Sequence, residues 1–303
     1  MGMMDRLEVE AAYEKLIERF RRWAARRPDL RAAFVVGSRG RANHRADEWA
    51  DLDVVIITTN PQFYIRSSGW VRRFGEPLLT FLEATAFGGE NERRVLYEGM
   101  LDVDFAVIPL QKLQAIVAAA ADAETIAKVQ DMVGRGIRVL IDKDGMVGQA
   151  QTLASSAGRS TPRRPKQEDF LSLANNFLYH SVFTAKHLRR GETWWAAMCL
   201  NCHMQSLLLK MIEWHALADH GWKHDVWFRG RFMEEWAHPQ AVGELTGTFA
   251  HYDRQDITRA LLASMDLFRR VATETAGRLG YAYPAKTDRR VASWVGKCML
   301  RTR

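Results

Sequence analysis

The sequence predicts an α+β N-terminal domain, a mixed β-sheet with flanking helices, followed by a C-terminal α-helical bundle. Three observations carry this. Short apolar runs rich in β-branched residues alternate with helical patterns between residues 30 and 145, as expected where helices cover a sheet. Residues 150–168, QTLASSAGRSTPRRPKQE, are polar and rich in Ser, Arg and Pro, the composition of a linker. From Asp169 onward almost every apolar residue falls at helical spacing. The expected domains are 1–155 and 156–303, a sensible division for 303 residues.

Taken in order, Asp5 to Arg27 sets Leu7, Ala11, Leu16, Ile17, Phe20 and Trp23 among charges at the spacing of an amphipathic helix, which Pro28 ends. RAAFVVG (Arg31–Gly37) and DLDVVIITT (Asp51–Thr59) read as buried strands. Residues 61–74 read as a helix, EPLLTFLEA as a strand or extended segment, and TAFGGENE as a Gly-containing loop. RRVLYEGMLDVDFAVIPL reads as two strands joined by a turn at Glu98–Met100. An Ala-rich helix over 111–133 leads to RVLID and the turn DKDG. Beyond the linker, helices are expected at 169–189, 192–218, 231–249 and 253–280.

Charge divides unevenly. Residues 1–150 hold 21 basic and 22 acidic residues, net −1, whereas residues 151–303 hold 22 and 14, net +8. The overall +7 therefore belongs to the helical half. Three cysteines give no disulfide framework, and the N-terminal stretch is charged at once, without the apolar core of a secretory signal. No run approaches 18 apolar residues, so no transmembrane helix is expected. The expected setting is the cytoplasm.

The segment VVGSRGRANHRADEWADLDVVII carries the chemistry. Gly37-Ser38 closes a strand with a turn whose backbone N–H groups and hydroxyl can hold phosphate oxygens. Thirteen residues after Ser38, Asp51 and Asp53 enter the next strand at i, i+2 and so share a face. Paired carboxylates repel and are tolerated mainly around a hard cation. Asp102 and Asp104 repeat the spacing in a later apolar strand, and a third carboxylate there could complete a two-Mg²⁺ site.

This conjunction resembles the nucleotidyltransferase superfamily of DNA polymerase beta. The resemblance is closest to the aminoglycoside 6-adenylyltransferase (streptomycin adenylyltransferase) family. WVRRFGEPLL, LDVDFAVIPL, LIDKDG, SLANNFLYHSVFTAKHLRRGE, LLLKMIEWH, FRGRFMEEW and LGYAYP look like that family's segments in the right order, covering most of the chain. The resemblance implies transfer of AMP from Mg·ATP to a hydroxyl of an aminoglycoside of the streptomycin type, at its 6-position, releasing pyrophosphate. Asp51 and Asp53 would bind both metals. Asp104, preceding the hydrophobic-x-hydrophobic-Ile-Pro-Leu run, would be general base or third metal ligand. Gly37 and Ser38 would hold the β- and γ-phosphates, with Arg39 the nearest cation. Lys186 and Lys210 are candidate phosphate partners from the basic domain, although solvated helix lysines are commoner. A polycationic acceptor needs carboxylates, for which Asp102, Glu83 and Glu192 are the first candidates and Glu76 and Asp169 lie in similar segments. Substrates are expected in a cleft between the domains of a monomer or homodimer, with neither nucleic acid nor membrane as partner. The same chemistry on another small hydroxyl compound, or an idle nucleotide-binding module, are the alternatives.

Two further signals are set aside. Cys199-Leu200-Asn201-Cys202-His203 is a CxxCH string, but it lies inside a helical segment and no second Cys/His pair stands at zinc spacing. Trp194, Trp195, Trp214, Trp222, Trp227 and Trp236 are expected in the helical core, and the basic C-terminal tail as an amphipathic helix.

Overall fold

The computed structural model describes residues 5–41, 43–85, 90–156 and 162–300. The TAFGGENE loop falls partly outside them. The chain divides into two compact units, 1–160 and 161–303.

The first unit opens with helix α1 (Arg6–Ala25), capped by Asp5, whose carboxylate accepts from the Glu8 N–H while Glu8 reaches back to the Asp5 N–H. Its buried stripe is Val9, Tyr13, Leu16, Ile17, Phe20 and Ala24. Leu7, placed in the stripe by periodicity, is instead exposed, because the inward face begins one turn-position later at Val9. Six strands follow: β1 (Leu30–Val36), β2 (Leu52–Thr58), β3 (Pro77–Ala84), β4 (Asn91–Tyr97), β5 (Leu101–Pro109) and β6 (Arg138–Asp142). They form one sheet in the order β3-β4-β5-β2-β1-β6. β2 and β5 pair in parallel and the other neighbours are antiparallel.

Both faces of the central strands are covered, which is why their sequences read as continuous apolar runs. Leu52, Val54, Ile56, Val103, Phe105 and Val107 pack with α1 and an aromatic set that includes Phe20, Trp70 and Phe74. On the opposite face Phe34, Val55, Ile57 and Ala106 cluster with Leu113, Val147 and Ala150.

Three expectations need correction here. The helix expected over 61–74 is α2 (Pro61–Arg66) followed by a 3₁₀ turn at Gly69–Arg73, because Ser67 takes an extended conformation and ends the first segment. The Ala-rich helix is two, α3 (Leu110–Val117) and α4 (Ala123–Arg135). Ala119 turns left-handed between them (φ 53°), and the Asp122 carboxylate starts α4 by accepting from the Thr125 N–H at 2.9 Å. The start of the expected linker is helix α5 (Met146–Ser156), which buries Val147, Ala150 and Ala154.

The second unit is helical: α6 (Gln167–Arg189), α7 (Thr193–Met198), α8 (Gln205–Asp219), α9 (Met233–Trp236), α10 (Pro239–Leu245), α11 (Arg254–Leu279) and α12 (Ala285–Leu300). A π-helical turn, Cys199–Met204, joins α7 to α8. Phe177 and Phe268 stack at 3.8 Å in the core. The helix expected over 231–249 is broken after Trp236, where Pro239 opens a new one. Trp214, Trp227 and Trp236 are core residues, but Trp194 and Trp195 are exposed. Cys199 is buried and Cys202 exposed, so the CxxCH string does not act as one unit.

Candidate active site

The carboxylates come together through strand register. In the parallel β2–β5 ladder Asp53 stands opposite Asp104, and Asp51 precedes Asp53 by two residues on the same face. One oxygen from each of Asp51, Asp53 and Asp104 lies within 4.8 Å of the others. Asp51 and Asp53 are half-buried and Asp104 is buried. Burial pushes the Asp104 carboxyl up to about 7; Arg94 opposes the rise, and Glu92, Asp51 and Asp102 add to it.

The Gly37–Arg39 turn follows β1, which pairs Val36 with Asp53. Gly37 is left-handed (φ 66°), and a Cβ built on it would fall 2.2 Å from Asp53 Oδ2. Only glycine lets the turn pass this close to the carboxylate. The Ser38 hydroxyl next to it is buried and has no hydrogen-bond partner among the described residues, a state that a native structure rarely leaves unused.

Arg39 departs from its expected place among the phosphates. Its side chain is only 4% exposed. The guanidinium donates to the carbonyls of Asp51 (3.1 Å) and Ala50 (3.0 Å), pairs with Glu10 at 2.7 Å and lies 3.7 Å over the Tyr13 ring. It fastens the 40–51 loop to α1, and its donors are spent there.

Around the cluster, Asp102 accepts from the Tyr13 hydroxyl at 3.2 Å. Burial, then the Asp102 charge, hold that phenol above its ordinary range. Glu83 reaches the centre through Arg94, whose guanidinium contacts Asp104 Oδ2 (2.8 Å), Glu92 (2.7 Å) and Glu83 (2.6 Å). Sequence reasoning missed Arg94 and Glu92, yet a signal was present. The β4–β5 hairpin is symmetric about Gly99, so Arg94, five residues before it, must face Asp104, five residues after it.

The remaining candidates belong to the second unit or to other duties. Glu192 is paired with His187 and, at 2.6 Å, with Arg190. Lys210 pairs with Glu213 at 3.0 Å, and Lys186 lies 5.8 Å from the Trp294 ring centre. Glu76 pairs with Arg72, and Asp169 caps α6 by accepting from the Lys166 N–H at 2.9 Å.

Three hard oxygen donors, one of them pushed toward protonation chiefly by burial, form a carboxylate-rich centre in which Arg94 is shared with Glu83 and Glu92, and such a centre suits a small hard cation. The orphaned Ser38 hydroxyl beside them suits an anion that such a cation would accompany. A mixed sheet presenting that combination at the entry of β2 defines a nucleotidyltransferase-like fold and centre. The sequence profile described as streptomycin adenylyltransferase matches residues 11–298, and the chain belongs to that family. It is accordingly a nucleotidyltransferase.

Relatives named aminoglycoside 6-adenylyltransferase are similar over nearly the whole length. The protein of Bacillus subtilis (strain 168) is 23% identical over 277 residues, covering 89% of this chain and 92% of the relative. That of Staphylococcus aureus is 21% identical, covering 86% and 90%, and that of Campylobacter jejuni 22% identical, covering 88% of each. The crystal structure of an aminoglycoside 6-adenyltransferase from Bacillus subtilis aligns over 95% of this chain and 97% of that one, with 18% identity and a TM-score of 0.45. Among the described residues no helix is long and apolar enough to cross a membrane.

Proposed function

We propose that the protein transfers AMP from Mg·ATP to a hydroxyl of an aminoglycoside, of the streptomycin type and at its 6-position, and so confers resistance. The observation that carries this is the Asp51–Asp53–Asp104 cluster in a chain of the streptomycin adenylyltransferase family. The activity named for its full-length relatives supports the acceptor class.

Asp51, Asp53 and Asp104 would hold two Mg²⁺ ions, which when bound offset charge on the triphosphate and on the acceptor oxygen. The Gly37–Ser38 turn receives the β- and γ-phosphates through backbone N–H groups and the Ser38 Oγ. Asp104 accepts the proton of the acceptor hydroxyl at a carboxylate oxygen. The hydroxyl oxygen bonds to the α-phosphorus as the bond to the β-phosphate oxygen breaks, and pyrophosphate leaves. Asp102 and Glu83, at the rim, offer negative charge to a cationic acceptor; Lys210 and Glu192 are assigned to the nucleotide and acceptor from the helical unit. The enzyme works on small molecules in the cytoplasm, as a monomer or homodimer.

Pyrophosphate release is the test, with ATP, GTP and CTP each offered against a panel of aminoglycosides and lincosamides. Release requiring ATP, Mg²⁺ and streptomycin, and absent in Asp51→Asn and Asp53→Asn, is expected. No release with any pair would overturn the assignment.

A further inference from the structure

The sheet face that carries the carboxylates continues beyond them. Asp53 is followed on that face by Val55 and Ile57, and Asp104 by Ala106 and Ile108. Helices α3, α4 and α5 stand over this stretch, and a cavity of about 350 Å³ lies between them and the strands. Val55, Ile57 and Ile108 form its floor, Val129 and Met132 of α4 its roof, and Ala150 of α5 one wall.

Helix α4 points to an occupant. It carries Ile126, Val129, Met132 and Val133 along one side, the pattern of a helix that buries an apolar stripe, yet none of its residues is buried. Val129, Met132 and Val133 of this stripe line the cavity, and Met132 also packs against the cluster around Leu113 and Val147. The cavity reaches the range of about 300–1,000 Å³, mostly apolar with few polar groups, that small-molecule pockets occupy. The charges at its edge are matched internally. Lys112 pairs with Glu90 at 2.6 Å, Lys128 with Glu124 at 2.8 Å, and Asp122 is spent on the α4 cap. A matched rim favours an uncharged guest over an anion or a cation.

We propose that this cavity is a second binding site, distinct from the carboxylate centre, for a neutral and predominantly apolar small molecule. It shares two strands with the carboxylates but none of their side chains. The proposal is independent of which acceptor is adenylylated.

The full chain titrated with N-phenyl-1-naphthylamine, an uncharged fluorophore, tests it. One saturable site per chain is expected, with a rise in the thermal midpoint as the probe binds. Ala150→Phe should plug the wall and weaken binding at least tenfold. Ala115→Leu, a smaller filling on α3, supplies the same comparison if the first variant fails to fold. Asp53→Asn should bind the probe as the parent does. Absence of saturable binding to the folded parent would overturn the proposal, as would undiminished binding in the folded filled variants or loss of binding in Asp53→Asn.

Discussion

Replacing Asp104 with Asn should stabilise the metal-free protein in alkali while removing its activity. Asp104 is 8% exposed and crowded by Asp51 and Asp53. Its carboxyl is pushed up from 3.8 to about 7, with burial the largest cause. A carboxyl harder to ionise in the folded chain than in the unfolded one contributes stability that is fully present below about pH 4, and that contribution is lost as pH rises through about 7. About 3 pH units at about 1.4 kcal/mol each set a ceiling of ~4 kcal/mol above pH 8. That rise is already net of the Arg94 attraction, and Arg94 keeps Glu83 and Glu92 as partners after the substitution. The gain is therefore at most ~4 kcal/mol at pH 8.5 and close to zero at pH 4. Urea unfolding of both proteins in EDTA at the two pH values measures it. A variant no more stable than the parent at pH 8.5, or one offset equally at both pH values, would refute the account of Asp104 as a carboxylate stored at a cost.

Other changes probe the same centre from different sides. Gly37→Ala forces a methyl against Asp53 Oδ2 in a backbone region that alanine resists, so kcat/KM should fall by about 10²-fold or more while the far-ultraviolet circular dichroism is kept. Arg39→Ala frees the 40–51 loop from α1 and should cost about 3 kcal/mol in denaturant unfolding, the scale of charge-assisted hydrogen bonds lost together. Arg94→Gln removes the cation that holds the Asp104 carboxyl down, so the acid limb of the kcat/KM profile should move to higher pH.

The strands and the carboxylates could be read because their physics is local or periodic. Buried strands show as apolar runs, and Asp51, Asp53 and Asp104 show as charges that such runs do not otherwise tolerate. Their union was not written in any local pattern, since Asp53 meets Asp104 only through the parallel β2–β5 ladder. Arg39 misled for a related reason. A cation next to a phosphate-type turn looks available until the chain is folded and its donors meet the Asp51 and Ala50 carbonyls. The split of the Ala-rich helix hung on Ala119, a residue of high helix propensity held left-handed, and propensity is a weak prior against tertiary context. Arg94 was within reach of simple counting about Gly99 but bore no mark of its own.

The β2–β5 ladder also separates what this architecture can change from what it cannot. The two strands bearing the carboxylates are hydrogen-bonded to each other, whereas the chain leaves the end of β2 and returns to the start of β5 by way of α2, β3 and β4. The spacing of Asp53 from Asp104 is therefore set by backbone pairing and is indifferent to the length of that excursion. Insertions or exchanges before Asn91 can remodel the surroundings of Glu83 while the carboxylate face stays intact. A slip of one residue within β5 has the opposite effect, turning Asp104 to the far face of the sheet. Freedom to vary around Glu83 and constancy at the carboxylates thus fall to different stretches of one polypeptide.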